Sequence, residues 1–329
     1  MKAEKGKPMD VDTATGLHRS AVRFGRHLRW AHTQGVGRLV EEDDLNPVHR
    51  AARAYGKWQW RRHHGAPPGA ATAVFLVGVQ RSGTNMVVRG LEASPEFEIH
   101  NENDRRAFDR FRLKPIPEVR ALVEHSRHRF VLFKPLCDSH RTDELLDELG
   151  TPSPARAIWA YRSVDGRVAS ALAKFGDTNL RILRELAAGG GGQRWQAQRL
   201  SGASLELIGS FDYATMTPAT AAALFWYIRN VILFERGFDR RPDVTVVSYD
   251  ALLTDPEARM RELCAFLGTA YDPQLVGHID AGRAPAGRTV EIDPAVRERC
   301  RELQARLDAL RSPRSVRADL SGSSPCPGR

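Results

Sequence analysis

The chain predicts an α/β fold in which helices cover both faces of a parallel β-sheet, and three observations carry that prediction. Short apolar runs recur at residues 74–79, Phe130–Phe133, 157–161 and 244–247, the pattern of strands buried on both faces. Helical patterns lie between and after them, at Thr84–Ala93, 138–149, Val164–Phe175, 217–238 and Pro256–Leu267. Strands alternating with helices of this length build βαβ units. Finally, 329 residues at 42% hydrophobic content supply a core for one large α/β domain with an appendage, or for two small domains.

Residues 1–72 read differently. They are rich in Arg and His and carry little strand pattern. Residues 19–38 alternate basic and apolar side chains loosely at helical spacing, Asp44, Leu45, Asn46 and Pro47 resemble a helix start, and 50–62 a basic helix. The segment 66–71 (APPGAA) is a linker. This basic, mostly helical N-terminal extension is expected to pack as a solvated piece on the core, with peripheral contact to acidic lipid as the alternative. The α/β domain then occupies 73–311. Within it, residues 189–192 (GGGG) form a flexible loop inside a mainly helical insert. Residues 312–329, rich in Ser, Pro, Arg and Gly, are expected to be a flexible tail.

The formal net charge of +9 points to an anionic ligand, polymer or surface without choosing among them. Cys137, Cys264, Cys300 and Cys326 form no CxxC pair and have no His at metal spacing, so idle thiols in a reducing compartment and no metal are expected. The opening residues are polar and charged, and no apolar run reaches the ~18 residues of a membrane span. The expectation is a cytoplasmic protein. No zinc-finger or aromatic RNA-binding pattern is present, and no nucleic-acid partner is expected.

The most informative stretch is 74–86, VFLVGVQRSGTNM. A buried strand runs into a turn holding Gln80, Arg81, Ser82 and Gly83, and a helix begins near Thr84. Such a turn aims backbone N–H groups and the positive end of a helix dipole into one concavity, and Gly83 allows an anion close to the backbone. The spacing Gly78-x4-Gly83 is that of a P-loop, making the sheet P-loop-type. The Lys and Ser/Thr that should follow are Thr84 and Asn85. Without that Lys and that Mg²⁺ ligand the loop suits an anion of lower charge density than a triphosphate, with Arg81 as its positive partner. A second cation, Arg162, follows the strand at 157–161, with Ser163 as a helix cap and Ser170 on the helix. Ligands of parallel sheets sit at such carboxyl edges.

These segments resemble the PAPS-dependent sulfotransferases, which use 3′-phosphoadenosine 5′-phosphosulfate as donor. The loop 78–85 (GVQRSGTN) looks like their 5′-phosphosulfate loop, with Gln80 where Pro is usual and Asn85 where Thr or Ser is common. Residues 158–170 (IWAYRSVDGRVAS) resemble their 3′-phosphate motif, and 244–268 their late strand, Tyr and helix ending in FLG. The three segments occur in the family's order and cover most of 73–270. The likeness is to the bacterial and Golgi-type branches, since Phe133-Lys134-Pro135-Leu136 stands where the cytosolic branch has Lys-Thr-His-Leu-Pro.

The resemblance implies roles. Arg81, Ser82, Gly83, Thr84 and Asn85 would hold the 5′-phosphosulfate, and Arg162 and Ser170 the 3′-phosphate. Tyr249 would pack near the adenine. Arg283 and Arg288 lie where the family closes a basic loop over the 3′-phosphate. Arg81 and Lys134 would stabilise charge during transfer. The acceptor hydroxyl needs a general base. Glu102, seven residues past Pro95, is the first choice, with His140 next and Glu98, His100 and Asp104 as competitors. The implied activity is transfer of a sulfonate from PAPS to an acceptor hydroxyl, on a small molecule, carbohydrate or lipid, releasing adenosine 3′,5′-bisphosphate (PAP). The alternatives are a P-loop small-molecule kinase and a non-catalytic basic binding protein. Trp195, Trp226, Tyr227 and Arg229 fall in the helical insert, where acceptor pockets are commonly shaped. Trp226 is expected to be core.

Overall fold

A computed structural model describes residues 47–150, 153–192, 194–280 and 289–311, with the backbone alone for 47–53. The chain divides into two compact units, 1–65 and 66–329. In the first, helix α1 (Pro47–His64) opens with Pro and ends on Arg61, Arg62, His63 and His64, charges that suit a helix C-terminus. The Tyr55 and Trp58 rings stack at 5.8 Å, and the Arg62 guanidinium lies 4.8 Å from the Trp58 ring centre. The helical pattern at 19–38 and the tail at 312–329 lie outside the described residues.

The second unit holds a five-stranded, wholly parallel sheet in the order β2-β5-β1-β6-β7. Its strands are β1 (Thr72–Gly78), β2 (Phe97–His100), β5 (Phe130–Phe133), β6 (Arg156–Tyr161) and β7 (Val244–Ser248). Between β2 and β5 a short antiparallel pair, β3 (Phe108–Asp109) and β4 (Arg112–Leu113), forms a separate ribbon. Apolar runs in β1, β5 and β6 fill two cores, one on each face. Phe75, Val77, Val131, Phe133, Ala157 and Trp159 face one, whereas Val74, Leu76, Phe130, Leu132, Ile158 and Ala160 face the other. The period of two sends neighbouring side chains to opposite faces, and helices must therefore cover both.

One face is covered by α2 (Thr84–Ala93), α10 (Tyr249–Thr254) and α11 (Pro256–Leu267) through Val87, Val88, Leu91, Leu252, Met260 and Leu263. The other face carries α3 (Ile116–His125), α4 (Thr142–Leu149), α5 (Val164–Phe175), α6 (Thr178–Ala187), α8 (Pro218–Asn230) and α12 (Pro294–Ala309). The insert also contains α7 (Gly202–Gly209) and a single turn, α9 (Ile232–Glu235).

Two helices differ from their sequence patterns. Residues 138–149, expected as one helix, begin as a 3₁₀ segment, Leu136–Arg141, and turn α-helical only at Thr142. The tighter 3₁₀ turn seats Ser139, whose Oγ accepts from the Gly78 N–H at 2.9 Å and lies 3.0 Å from the Gly78 carbonyl. The expected 217–238 helix divides at Val231, and Gly237 beyond the second piece takes a left-handed φ of 68°, a conformation glycine adopts without steric cost.

Candidate active site

A parallel sheet points all its strand C-termini one way, so the residues that follow β1, β2, β5 and β6 meet at one edge. Those residues are the loop 79–83, Glu102, Lys134 and Arg162. Two glycines bring the strands and loop together. Gly78 has φ 124°, and a Cβ there would meet the Ala160 carbonyl oxygen at 2.2 Å. Gly83 has φ 82°, and its Cβ would meet the Tyr249 ring at 2.1 Å. Both positions therefore require a residue without a side chain.

Gly83 also precedes α2, whose first N–H groups lack internal helical partners and open into the loop. Ser82 is buried and its Oγ has no hydrogen-bond partner. Arg81 takes a positive φ of 72°, uncommon for a residue with a side chain, and its Nε donates to Ser170 Oγ at 3.0 Å. That bond joins the two segments read separately from the sequence. Arg167, fully buried, holds the same loop from beneath by donating from Nε to the Gln80 carbonyl at 3.4 Å and from Nη1 to the Ala222 carbonyl at 2.7 Å. Burial, and then the nearby Arg81, lower its pKa to about 9.

Arg162 leaves β6 with its guanidinium 4.3 Å from the Tyr249 ring centre, and its buried Nε has no hydrogen-bond partner. Tyr249 thus packs between Gly83 and Arg162, touching both candidate anion-binding segments. Gly166 makes room for this arrangement, since a Cβ on it would lie 2.7 Å from Arg162 Nε. Trp226, fully buried as expected, donates from Nε1 to the Arg162 carbonyl at 3.0 Å. Asp250 fixes the start of α5, accepting from the Ser163 N–H at 2.6 Å and from Ser163 Oγ at 3.1 Å. Within that first turn Asp165 accepts from the Val290 N–H at 2.8 Å and pairs with Arg297. Arg283 and Arg288 lie outside the described residues.

Lys134 is nearly buried, donates to Asn85 Oδ1 at 2.8 Å and lies 3.8 Å from Glu102 Oε1. Asn85, the unusual residue after the loop, therefore orients the lysine. Of the other candidate bases, Glu98, His100 and Asp104 are engaged with one another and their neighbours, and His140 is disfavoured by its surroundings. His100, buried and stacked on Phe133, bridges Asp104 at 2.8 Å and Glu98 at 3.4 Å. Burial opposes ionisation of Glu98, but the close His100 ring and the hydrogen bond from Ser126 Oγ at 2.8 Å hold its pKa at about 2. Asp104 is likewise held at about 2, against burial, by Arg106 and His100. His140 is buried among arginines, and burial followed by Arg229, Arg112, Arg141 and Arg199 push its pKa down to about 3, far below the range of an effective base at neutral pH.

Sequence reasoning missed Ser139, Gly166, Arg167 and Asp250. Arg167 left a signal, because it falls in the apolar stripe of α5 formed by Val164, Val168 and Ala171, where an arginine must be satisfied by specific partners. Asp250 left none, since its partner lies 87 residues away.

A glycine loop, a helix N-terminus, two arginines and a lysine gathered at the carboxyl edge of a parallel sheet make an α/β architecture suited to holding an anion. The model of the sulfotransferase domain family matches residues 71–281, and the chain belongs to that family. No curated protein matches it significantly. Among solved structures it is similar to the sulfotransferase domain of the curacin biosynthetic pathway (11% identity, 72% of this chain and 98% of that one, TM-score 0.43). It is also similar to the sulfotransferase domain of the Synechococcus PCC 7002 olefin synthase (16%, 75% and 96%, TM-score 0.45). A third is the sulfotransferase from Alicyclobacillus acidocaldarius (18%, 74% and 96%, TM-score 0.42). No helix among the described residues is long and apolar enough to cross a membrane.

Proposed function

We propose that this sulfotransferase takes its sulfonate from PAPS and passes it to an acceptor hydroxyl by in-line displacement. The hydrogen bond between Arg81 and Ser170 carries the reading, because it makes one continuous polar surface of the two segments that would grip the two ends of a bisphosphorylated nucleotide. Two orphan groups support it. Ser82 Oγ and Arg162 Nε are buried without partners, an arrangement that costs about 1–3 kcal/mol per group unless a ligand satisfies it.

In the proposed reaction the acceptor oxygen bonds to sulfur while the bond from sulfur to the bridging phosphate oxygen breaks, and the electron pair leaves with PAP. Glu102 receives the acceptor's proton. Arg81, the loop N–H groups and Lys134 meet charge that builds on the leaving oxygen and the sulfonate. Asn85 holds Lys134 in place and so limits reorganisation during transfer. A carbohydrate, lipid or small-molecule hydroxyl fits this chemistry.

Calorimetric titration of the full chain with PAP, without Mg²⁺, tests the reading. Micromolar binding that Arg162→Ala weakens at least tenfold supports it. Absence of PAP binding to folded protein overturns it.

A further inference from the structure

Arg229, in the last turn of α8, is 3% exposed, and neither its Nη1 nor its Nη2 has a hydrogen-bond partner. An uncompensated buried cation is costly. The Trp195 ring, with its centre 5.1 Å from the guanidinium carbon, offsets part of that cost but leaves the N–H donors unused.

A second orphan sits in the same neighbourhood. His140 is 1% exposed, and its buried Nδ1 has no partner. Burial and the field of Arg229, Arg112, Arg141 and Arg199 keep its ring neutral, and a neutral imidazole can present one N–H at Nδ1. The buried carboxylate of this cluster is committed elsewhere. Asp138 accepts from Arg112 Nε at 2.7 Å and from the Leu113 N–H at 2.8 Å, and lies 3.7 Å from Arg141.

Three buried, unpartnered nitrogens in one positively charged neighbourhood, two of them donors on Arg229 and the third a donor in the Nδ1–H tautomer of His140, are the makings of an oxyanion site. Two Nη groups on one planar guanidinium match the two oxygens of a carboxylate. We infer that Arg229 and His140 together bind a carboxylate, and that this carboxylate belongs to the acceptor.

The second part rests on the sulfotransferase reading. Cys137 links the two places, since its thiol lies in the fields of both Glu102 and Arg229 and accepts from Gln80 Nε2 at 3.8 Å. An acceptor anchored at Arg229 would extend past Cys137 towards Glu102 and the loop. The enzyme would then prefer hydroxy acids over their esters.

Thermal unfolding of the full chain, titrated with formate and with benzoate at constant ionic strength, tests this. Formate is expected to raise the wild-type melting temperature saturably. Arg229→Met should lose that response and be at least as stable as wild type without anion, because it removes an unpaired buried charge. Arg229→Lys, which keeps the charge but not the planar fork, should respond with an affinity at least ~5-fold weaker, and it decides the matter if the Met variant does not fold. No saturable response in wild type, or the same response in every variant, overturns the site and leaves the donors to water. A benzoate response matching that of formate supports the acceptor part, whereas formate alone binding overturns that part and leaves a closed anion site. PAP affinity, measured separately, tells failure of the sulfotransferase reading apart from failure of the anion site.

Discussion

Arg81 donates from Nε to Ser170 Oγ at 3.0 Å across 89 residues of sequence. The bond fixes an arginine whose backbone sits at a positive φ, a conformation that costs on the order of 1–3 kcal/mol and persists only when its surroundings enforce it. Under the proposed function, loop shape and ligand grip are therefore coupled. Ser170→Ala and Arg81→Ala should each weaken PAP binding about tenfold or more. The double variant should lose less than the sum, with a coupling of ~1 kcal/mol, as for residues in direct contact. Calorimetry on the four proteins measures it, and strict additivity would show that the two side chains act independently.

Gly83 faces a stricter constraint. Its φ of 82° disfavours any side chain, and the space a Cβ would take is occupied by the Tyr249 ring. Gly83→Ala should push Tyr249 away from Arg162, lower stability by about 1–3 kcal/mol and abolish measurable PAP binding. Urea unfolding and calorimetry read the two effects separately. Gly166→Ala gives a milder version. It displaces the Arg162 side chain and Ser163 Oγ, which would lie 2.7 and 2.9 Å from the added Cβ, so PAP affinity should fall with a smaller loss of stability than at Gly83.

The buried strands were legible because a sheet covered on both faces needs continuous apolar runs, and β1, β5, β6 and β7 have them. The loop after β1 was legible because Gly78 and Gly83 stand at a spacing that few other structures require. What supports the loop was not. Ser139 reaches Gly78 across 61 residues and Asp250 reaches Ser163 across 87, and nothing in the local pattern of either residue marks such a partner. The 3₁₀ start at Leu136–Arg141 was hidden for the same reason, since its tight turn serves a distant strand. Among the candidate bases, residue type alone could not separate Glu102 from Glu98, because the difference lies in the Ser126 hydrogen bond to Glu98 and the His100 ring beside it.

Acid should destabilise the fold in two stages. Burial and surrounding arginines lower the His140 pKa from 6.5 to about 3. Burial and Arg89 likewise lower that of His278, against the hydrogen bond to the Met86 carbonyl. Between the folded and ordinary values the unfolded chain binds protons that the folded chain refuses. Stability is thus full above about pH 6.5 and falls as pH drops, by up to ~1.4 kcal/mol per pH unit for each such proton. Glu98, held at about 2 against an ordinary 4.5, adds a further loss that starts only below about pH 4.5. Urea unfolding from pH 7.5 to 4 should show a shallower slope for His140→Gln between pH 6.5 and 4.5, with the residual slope due to His278. An unchanged slope would mean that His140 is protonated in the folded state.

Lys134 and Glu102 lie 3.8 Å apart at the ends of neighbouring strands, and Asn85 Oδ1 accepts from the lysine at 2.8 Å. The proposed chemistry gives the three residues separable effects. Lys134→Met removes a charge that meets the developing negative charge, so kcat should fall ~10²–10³-fold. Glu102→Gln preserves shape and removes the proton acceptor. It should lower kcat by ~10²–10⁴ while leaving PAP affinity within about twofold, because the carboxylate is assigned to the acceptor and not to the nucleotide. Asn85→Ala leaves both catalytic groups in place but frees the lysine to move, and should cost less than either. Rates with PAPS and a phenolic acceptor, alongside PAP calorimetry, distinguish these roles. If Glu102→Gln retained full kcat, the base would have to lie elsewhere. If it weakened PAP binding as much as Arg162→Ala does, Glu102 would be acting on the nucleotide through Lys134 and not on the acceptor.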